Sequence, residues 1–324
     1  MKKIFIAIVA LAAATACSNN ELVSVNQEAI AFDNAFVNNS TRAFYSNSSL
    51  FNSFNVYGFV EGDGAATAMI FDWTAVTGSE LNGDWTYTGQ QYWINGANYK
   101  FHAVAPTTAM VTSHSADYTD GVTLDFTNDG TEDLLYAYAT AEGKLTGNTK
   151  VAFDFKHLLS KVKFSFVNAY DATGSSIEVK NIKITNAHAS AIVALNNTIV
   201  TWTNLGGAIG AQNNEGLSFD DADDATEKLL IPSESFAYDV DFDVELYYGE
   251  GDNKTLIKTF PHRKSTVTFA PAAGCSYNIT ATINKDNIDE AGAQTKIEFT
   301  VTDIDEWTPT NANDVNLPVT NPQN

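Results

Sequence analysis

Hydrophobic and polar positions alternate along much of this chain. Asp239–Leu246 reads DVDFDVEL: Val240, Phe242, Val244 and Leu246 fall on one side of an extended backbone, and Asp239, Asp241, Asp243 and Glu245 on the other. Such a period of two predicts a strand with one face in a core. KVKFSFV (161–167), IEVKNIKIT (177–185), STVTF (265–269), SYNITATI (276–283) and TKIEFTVTDI (295–304) read alike, as do FNVYGFV (54–60), NYKFHAVA (98–105), LLYAYA (134–139) and VAFDF (151–155). Between them stand turn pairs: Asp63-Gly64, Asn82-Gly83, Asn95-Gly96, Asp129-Gly130 and Gly251-Asp252. Asn-Gly and Asp-Gly supply the positive φ that tight hairpins require. No long stretch repeats with the 3.6-residue period of a surface helix. Many short strands at this spacing predict an all-β chain built of β-sandwiches, dividing near residues 150–160 into halves of similar strand count.

The first residues follow a different rule. MKKIFIAIVALAAATAC opens with Lys2 and Lys3, continues through a short apolar run from Ile4 to Leu11, and ends in small residues before Cys17. The apolar run is too short to span a bilayer, so residues 1–16 read as a secretion signal. A cysteine placed directly after the small residues resembles a bacterial lipobox, whose thiol is acylated and becomes the new first residue. An ordinary signal peptide with an incidental Cys17 is the alternative. With Cys17 taken by lipid, Cys275 in AAGCSYNI leaves no intrachain disulfide to expect.

Charge narrows the classes of partner. The 324 residues carry 18 Lys+Arg against 39 Asp+Glu, a formal net charge of -21. Nucleic acid needs a cationic footprint, so it is not an expected partner. Anionic lipid is not expected to dock by charge either. The five histidines (His102, His114, His157, His188, His262) include no pair with metal-ligand spacing, and no metal or cofactor is expected. FDDADDATE (219–227) could attract calcium through its carboxylates, but it lacks the EF-hand register and reads more readily as a solvated acidic loop. No G-x-S-x-G elbow, P-loop or nucleophile–base spacing is present, so an enzyme is not expected. Trp73, Trp85 and Trp93, with Tyr87, Tyr92 and Tyr99, crowd one stretch. Such rings can hold a sugar, or fill a sandwich core.

Several phrases in order then resemble the fimbrillin family of Bacteroidales-type bacteria, the subunits of type V pili and their relatives. They are YWINGANYKFHAVAP (92–106), DLLYAYA (133–139), FDFKHLLSKVKFSFV (153–167), AAGCSYNI (272–279) and DIDEWTP (303–309), together with the lipobox and STRAF. The resemblance implies two transthyretin-like β-sandwich domains in tandem, at 43–155 and 156–324. It also implies a lipidated prosegment at 17–42, export as a lipoprotein to the outer membrane and cell surface, and assembly with other copies or related fimbrial subunits. In polymerising members an arginine-specific protease cuts ahead of the mature chain, and the matching bond here is Arg42–Ala43. The residues agree with that role. Arg42 is one of two arginines, and it sits in NNSTRAFYSN, a run of small polar residues of the kind that proteases nick. An arginine that is never cut is the alternative.

On either side of that bond the chain supplies two further strand patterns. EAIAFDNAFV (28–37) places Ile30, Phe32 and Phe36 on one expected face, a removable strand completing the first domain's sheet. Its departure would leave a groove for another copy's strand, as in donor-strand complementation. The tail after Trp307 reads TPTNANDVNLPVTNPQN, where Val315, Leu317 and Val319 alternate as a donor should. Pro318, which has no N–H, is awkward in a strand paired on both edges. A monomeric surface lipoprotein that binds glycan or host protein is the rival reading. It predicts no cut at Arg42.

Overall fold

The alternating segments become strands throughout the computed structural model, which describes residues 28–37, 52–62, 67–78, 85–144, 146–211, 216–219, 227–249, 251–288 and 297–306. In chain order the strands begin with β1 (Phe32–Val37), β2 (Ser53–Glu61), β3 (Ala68–Thr77), β4 (Thr86–Tyr87), β5 (Asn98–Ala105) and β6 (Val111–Asp117). Next come β7 (Gly121–Thr127), β8 (Leu135–Glu142), β9 (Val151–His157), β10 (Ser160–Ala169), β11 (Ser175–Ile184), β12 (Ser190–Asn196) and β13 (Ile199–Gly206). The chain closes with β14 (Leu217–Ser218), β15 (Lys228–Leu230), β16 (Phe236–Tyr248), β17 (Thr255–Phe269), β18 (Cys275–Asn284) and β19 (Phe299–Glu306). A single turn of helix, α1 (Lys285–Ile288), follows β18. The all-β expectation holds.

These strands make four sheets. One has seven strands in the order β1-β9-β8-β5-β2-β3-β4, and three have four: β15-β10-β18-β19, β14-β11-β16-β17 and β13-β12-β7-β6. The second and third face each other across one core, to which β16 contributes Tyr238, Val240, Phe242 and Val244. This is the sandwich that DVDFDVEL predicted, apolar face inward. The acids of its other face are held by neighbours. Asn186 donates to Asp239 (3.3 Å) and Asn181 to Asp243 (2.8 Å), while Glu245 accepts from the Tyr247 hydroxyl (2.6 Å).

Within the seven-stranded sheet β2 is buried on both faces, whereas β9 keeps the alternation of a half-buried strand. In β2, Phe54, Val56 and Val60 enter a core that the sheet closes around itself. Tyr57 and Phe59, on the alternate positions, enter a second core against the sheet of β7 and β12. Gly58 takes the position between Val56 and Val60 on the first face, where a Cβ would lie 2.5 Å from the Phe71 ring.

The expected boundary at 155/156 is crossed by the fourth sheet. β7 pairs antiparallel with β12 from Thr127↔Ser190 to Val122↔Leu195. Asn128 donates its Nδ2–H to the Leu229 carbonyl (3.0 Å), and Leu229 donates back to Gly130 (2.9 Å). Leu158 and Leu159, on the short link between β9 and β10, are buried in the same cluster as Leu124, Val193 and Ile231. The reason is physical. The outer face of the seven-stranded sheet is apolar and needs a cover, and half of that cover is the β12–β13 hairpin from the second part of the chain.

Two residues in the quoted motifs fasten this junction. Asp133, fully buried ahead of β8, accepts a hydrogen bond from the Leu134 N–H (2.8 Å) and pairs with the His157 ring at the end of β9. Lys161, also buried, reaches Glu227 at 3.1 Å. Both pairs join segments that are distant in sequence, and neither is a metal or catalytic arrangement.

Candidate functional site: the captured first strand

Residues 28–37 are bonded to two different stretches of chain. At Glu28–Ile30 they run antiparallel to Gln91–Trp93: Ile30 donates to the Gln91 carbonyl (2.8 Å), and Trp93 donates to that of Glu28 (3.0 Å). From Ala31 onward they turn to β9. Val151 donates to the Ala31 carbonyl (2.7 Å), and β1 then pairs parallel with β9, from Phe32↔Val151 to Val37↔Phe155. A segment extended between two partners in this way satisfies its backbone as a sheet member does.

Its side chains are core residues. Ile30 and Phe32 are each 1% exposed. The Phe32 ring meets five others, those of Phe54, Phe71, Tyr87, Phe101 and Phe153, at centroid separations of 5.5–6.2 Å. Burying two side chains of this size is worth roughly 3–6 kcal/mol, at about 1.5–3 each. The register with β9 shifts between Asp33 and Phe36, which pairs with Asp154. The strict period of two, on which a face shared by Phe32 and Phe36 depends, is therefore interrupted. The Phe36 side chain lies outside the described residues.

Two polar clamps add to this packing. The Tyr87 hydroxyl donates to the Ile30 carbonyl (2.6 Å) and accepts from the Gln91 N–H (3.3 Å). Burial pushes its pKa up, since the phenolate would lose its water. The Glu28 carboxylate accepts from the N–H groups of Gly147 and Asn148 (2.8 Å each) and from the Asn148 side chain (2.9 Å). Those three donors, the Gly147 N–H foremost, hold the Glu28 carboxyl below its ordinary value. No spacing in the sequence could announce this clamp, because its halves lie 119 and 120 residues apart.

The other sequence-derived candidates fall as follows. Cys17, Arg42, Ala43, Val315, Leu317 and Val319 lie outside the described residues. So does most of the acidic loop, whose ends are the buried Phe219 and the Lys161-bound Glu227. Among the described residues no cluster of three or more His, Cys, Asp or Glu is suited to a metal ion. Of the crowded aromatics, Trp85, Trp93 and Tyr99 are buried in the core that holds Phe32, and Tyr87 packs against it. Trp73 stacks on His114, centroids 4.1 Å apart, while Tyr92 is 45% exposed. The aromatic stretch is thus largely the wall of the strand's berth.

Comparison with known proteins fits this architecture. A family described as fimbrillin-like matches residues 41–307. No curated protein sequence matches the chain significantly. Among solved structures, a fimbrial protein from Bacteroides vulgatus is similar at a TM-score of 0.57 and 15% identity, over 86% of this chain and 99% of its own. A proposed cell adhesion protein from Bacteroides uniformis (TM-score 0.45, 17% identity) covers 86% of this chain and 98% of its own. Another from Bacteroides ovatus (TM-score 0.48, 13% identity) covers 88% and 99%. The first of these carries the likeness in fold.

Proposed function

Because the chain belongs to the fimbrillin-like family, we propose that it is a structural subunit, shaft or accessory, of a surface fimbria that joins its neighbours by donor-strand exchange. It is exported as a lipoprotein acylated at Cys17 and carried to the outer membrane. There an arginine-specific protease cuts Arg42–Ala43 and frees residues 17–42. The vacated groove takes a strand from another copy or a related subunit, with Val315, Leu317 and Val319 as its plugs.

One observation carries this reading: Ile30 and Phe32 are core residues, yet they stand upstream of Arg42. They also precede the family match, which begins at residue 41. The core is thus filled in part by a piece of chain that lies ahead of the matched residues. While tethered, that piece faces its groove at an effective concentration in the millimolar range. Severed, it binds only as tightly as its own contacts allow. An affinity of about 4 kcal/mol corresponds to roughly 1 mM, so a strand worth a few kcal/mol departs on dilution. The empty groove then presents unpaired backbone and apolar surface, which an alternating strand can satisfy.

The experiment is N-terminal sequencing of protein extracted from the cell surface, together with electrophoresis of unheated samples. The reading expects chains that begin at Ala43 and a ladder of polymers, and loss of the ladder when residues 310–324 are deleted. Chains that all begin at acylated Cys17, with no ladder, would support the monomeric lipoprotein instead.

A further inference from the structure

Residues 184–214 contain no Asp, Glu, Lys or Arg, the longest such run in a chain with 39 acids and 18 bases. The run supplies β12 and β13, a hairpin closed at Asn196 and Ile199 around Asn197 (φ +55°). β12 is paired on both sides, with β7 and with β13. β13 is an edge: among the described residues it pairs with β12 alone.

Open edges invite further strands, and folds blunt them with short strands, charges or proline. Every other sheet edge here shows one of these devices. β4 and β14 have two residues each and β15 three. β1 carries Asp33, β6 carries Asp117, and β19 carries Asp303, Asp305 and Glu306. β17 carries Lys258, Arg263 and Lys264 together with Pro261. β13, reading IVTWTNLG, runs for 8 residues with neither charge nor proline. It is rich in the β-branched and aromatic types that favour pairing.

The hairpin fixes what this edge offers. Asn196 and Ile199 close a two-residue turn, so the bonds to β12 fall at Ile199, Thr201 and Thr203. Val200 and Trp202 therefore turn their backbone N–H and C=O groups to the open side. Their side chains face inward: Val200 is buried in the core beneath, and Trp202 packs against it. On the outer face Ile199 is 43% exposed, and Thr203 is exposed as well. Beyond Thr203 the left-handed Asn204 (φ +52°) ends the regular run.

We infer that this edge pairs with the same edge of a second copy, antiparallel about a twofold axis at Thr201. Val200 of each copy then exchanges both backbone hydrogen bonds with Trp202 of the other. Across the axis Ile199 lies opposite Thr203, and Thr201 opposite Thr201. Register and charge both favour a second copy. Centred on Thr201, each outward-turned backbone group meets another, as a self-complementary contact requires. At a net charge of -21 two copies repel over most of their surface, and the uncharged hairpin is where they approach at least cost. The sheet that carries β13 does not contain β1, so the contact joins copies side by side and needs no strand exchange.

The test is sedimentation equilibrium of the uncut chain across protein concentration and salt. A monomer–dimer equilibrium is expected, weak because a single strand pair is a small interface. It should shift toward dimer between about 0.05 and about 0.5 M NaCl, as repulsion between copies is screened. Deleting residues 310–324 should leave it unchanged, which separates it from assembly through the tail. Thr201→Lys and Thr201→Glu should each weaken self-association about tenfold or more, because like charges then face each other across the axis. An equimolar mixture of the two variants should dimerise again. An unchanged circular dichroism melt shows that the variants are folded. Hydrogen exchange reads the same contact without any variant: the Val200 and Trp202 amides should gain protection as concentration rises. A chain that stays monomeric at every concentration and salt overturns the inference. So does a dimer that Thr201→Lys leaves intact, a mixture that stays monomeric, or exchange at Val200 and Trp202 that ignores concentration.

Discussion

The ring of Phe32 stacks on that of Phe153, with centroids 5.7 Å apart and planes 24° apart. One belongs to the segment ahead of Arg42, and the other to β9, the strand that pairs with that segment in the seven-stranded sheet. The contact makes the upstream segment part of the core rather than a leader lying on it. Phe32→Ala empties a site surrounded by five rings, and a buried phenylalanine truncated to alanine costs about 3–5 kcal/mol. Urea unfolding of the uncut chain should show the unfolding free energy falling by that amount, through a lower midpoint with little change in slope. An unaltered midpoint would mean that the segment is not held in solution as it is in this fold.

Glu28 contributes through its ionised form. Its folded pKa lies below the ordinary value near 4.5, so its contribution is complete above that value and is lost as pH falls through the folded pKa. Glu28→Gln keeps one acceptor oxygen but loses the charge. The variant should release residues 28–37 to a protease faster than the parent chain at neutral pH. The two rates should converge as pH falls through the lowered folded pKa of Glu28. A constant ratio across pH would assign the clamp to shape rather than charge.

His102 gives the opposite kind of pH signal, because it is buried neutral. Its Nδ1 pairs with the Tyr136 hydroxyl at 2.7 Å, and the rings of Phe59 and Tyr138 pack beside it. Burial lowers its pKa from 6.5 to about 4, with the Lys100 charge adding to the effect. Between those values the unfolded chain binds the proton and the folded chain does not. Stability is therefore full above pH 6.5 and declines toward pH 4. A gap of about 2.5 pH units at 1.36 kcal/mol each gives roughly 3 kcal/mol. His188, also lowered by burial, shares the trend. The part due to His102 is the slope that disappears in His102→Gln, read from denaturant midpoints across that window.

Gly121 marks where the two parts of the chain close on each other. It has φ +80°, and a Cβ there would stand 2.2 Å from the Leu195 carbonyl oxygen across the β7–β12 ladder. Gly121→Ala combines a left-handed conformation, about 1–2 kcal/mol, with overpacking of about 1–3 kcal/mol. A loss of about 2–5 kcal/mol in the unfolding free energy is expected. Exchange protection should fall in both β7 and β12, since one ladder serves both.

What was legible in the sequence was local. Alternation in 98–105, 151–155, 161–167, 177–185, 239–246 and 276–283 fixed where strands run, because a period of two leaves an extended chain as the form that buries every apolar side chain on one face. It also marked Ile30 and Phe32 as residues that want a core. Tertiary structure alone decided which core, and what else meets there. The quoted alternating segments leave out β3 and β4 of the seven-stranded sheet, the short β14 and β15, and all four strands of the sheet that spans residue 155, β6, β7, β12 and β13. β6 is almost wholly polar, whereas β7 and β12 do alternate, with Val122, Leu124 and Phe126 and with Ala191, Val193 and Leu195 buried, so what stayed hidden there is the pairing rather than the strand. The Glu28 clamp and the Asp133–His157 pair were equally hidden, for pairing between distant strands is set by how whole sheets cover one another. The chain's own periodicity carries no record of its partners.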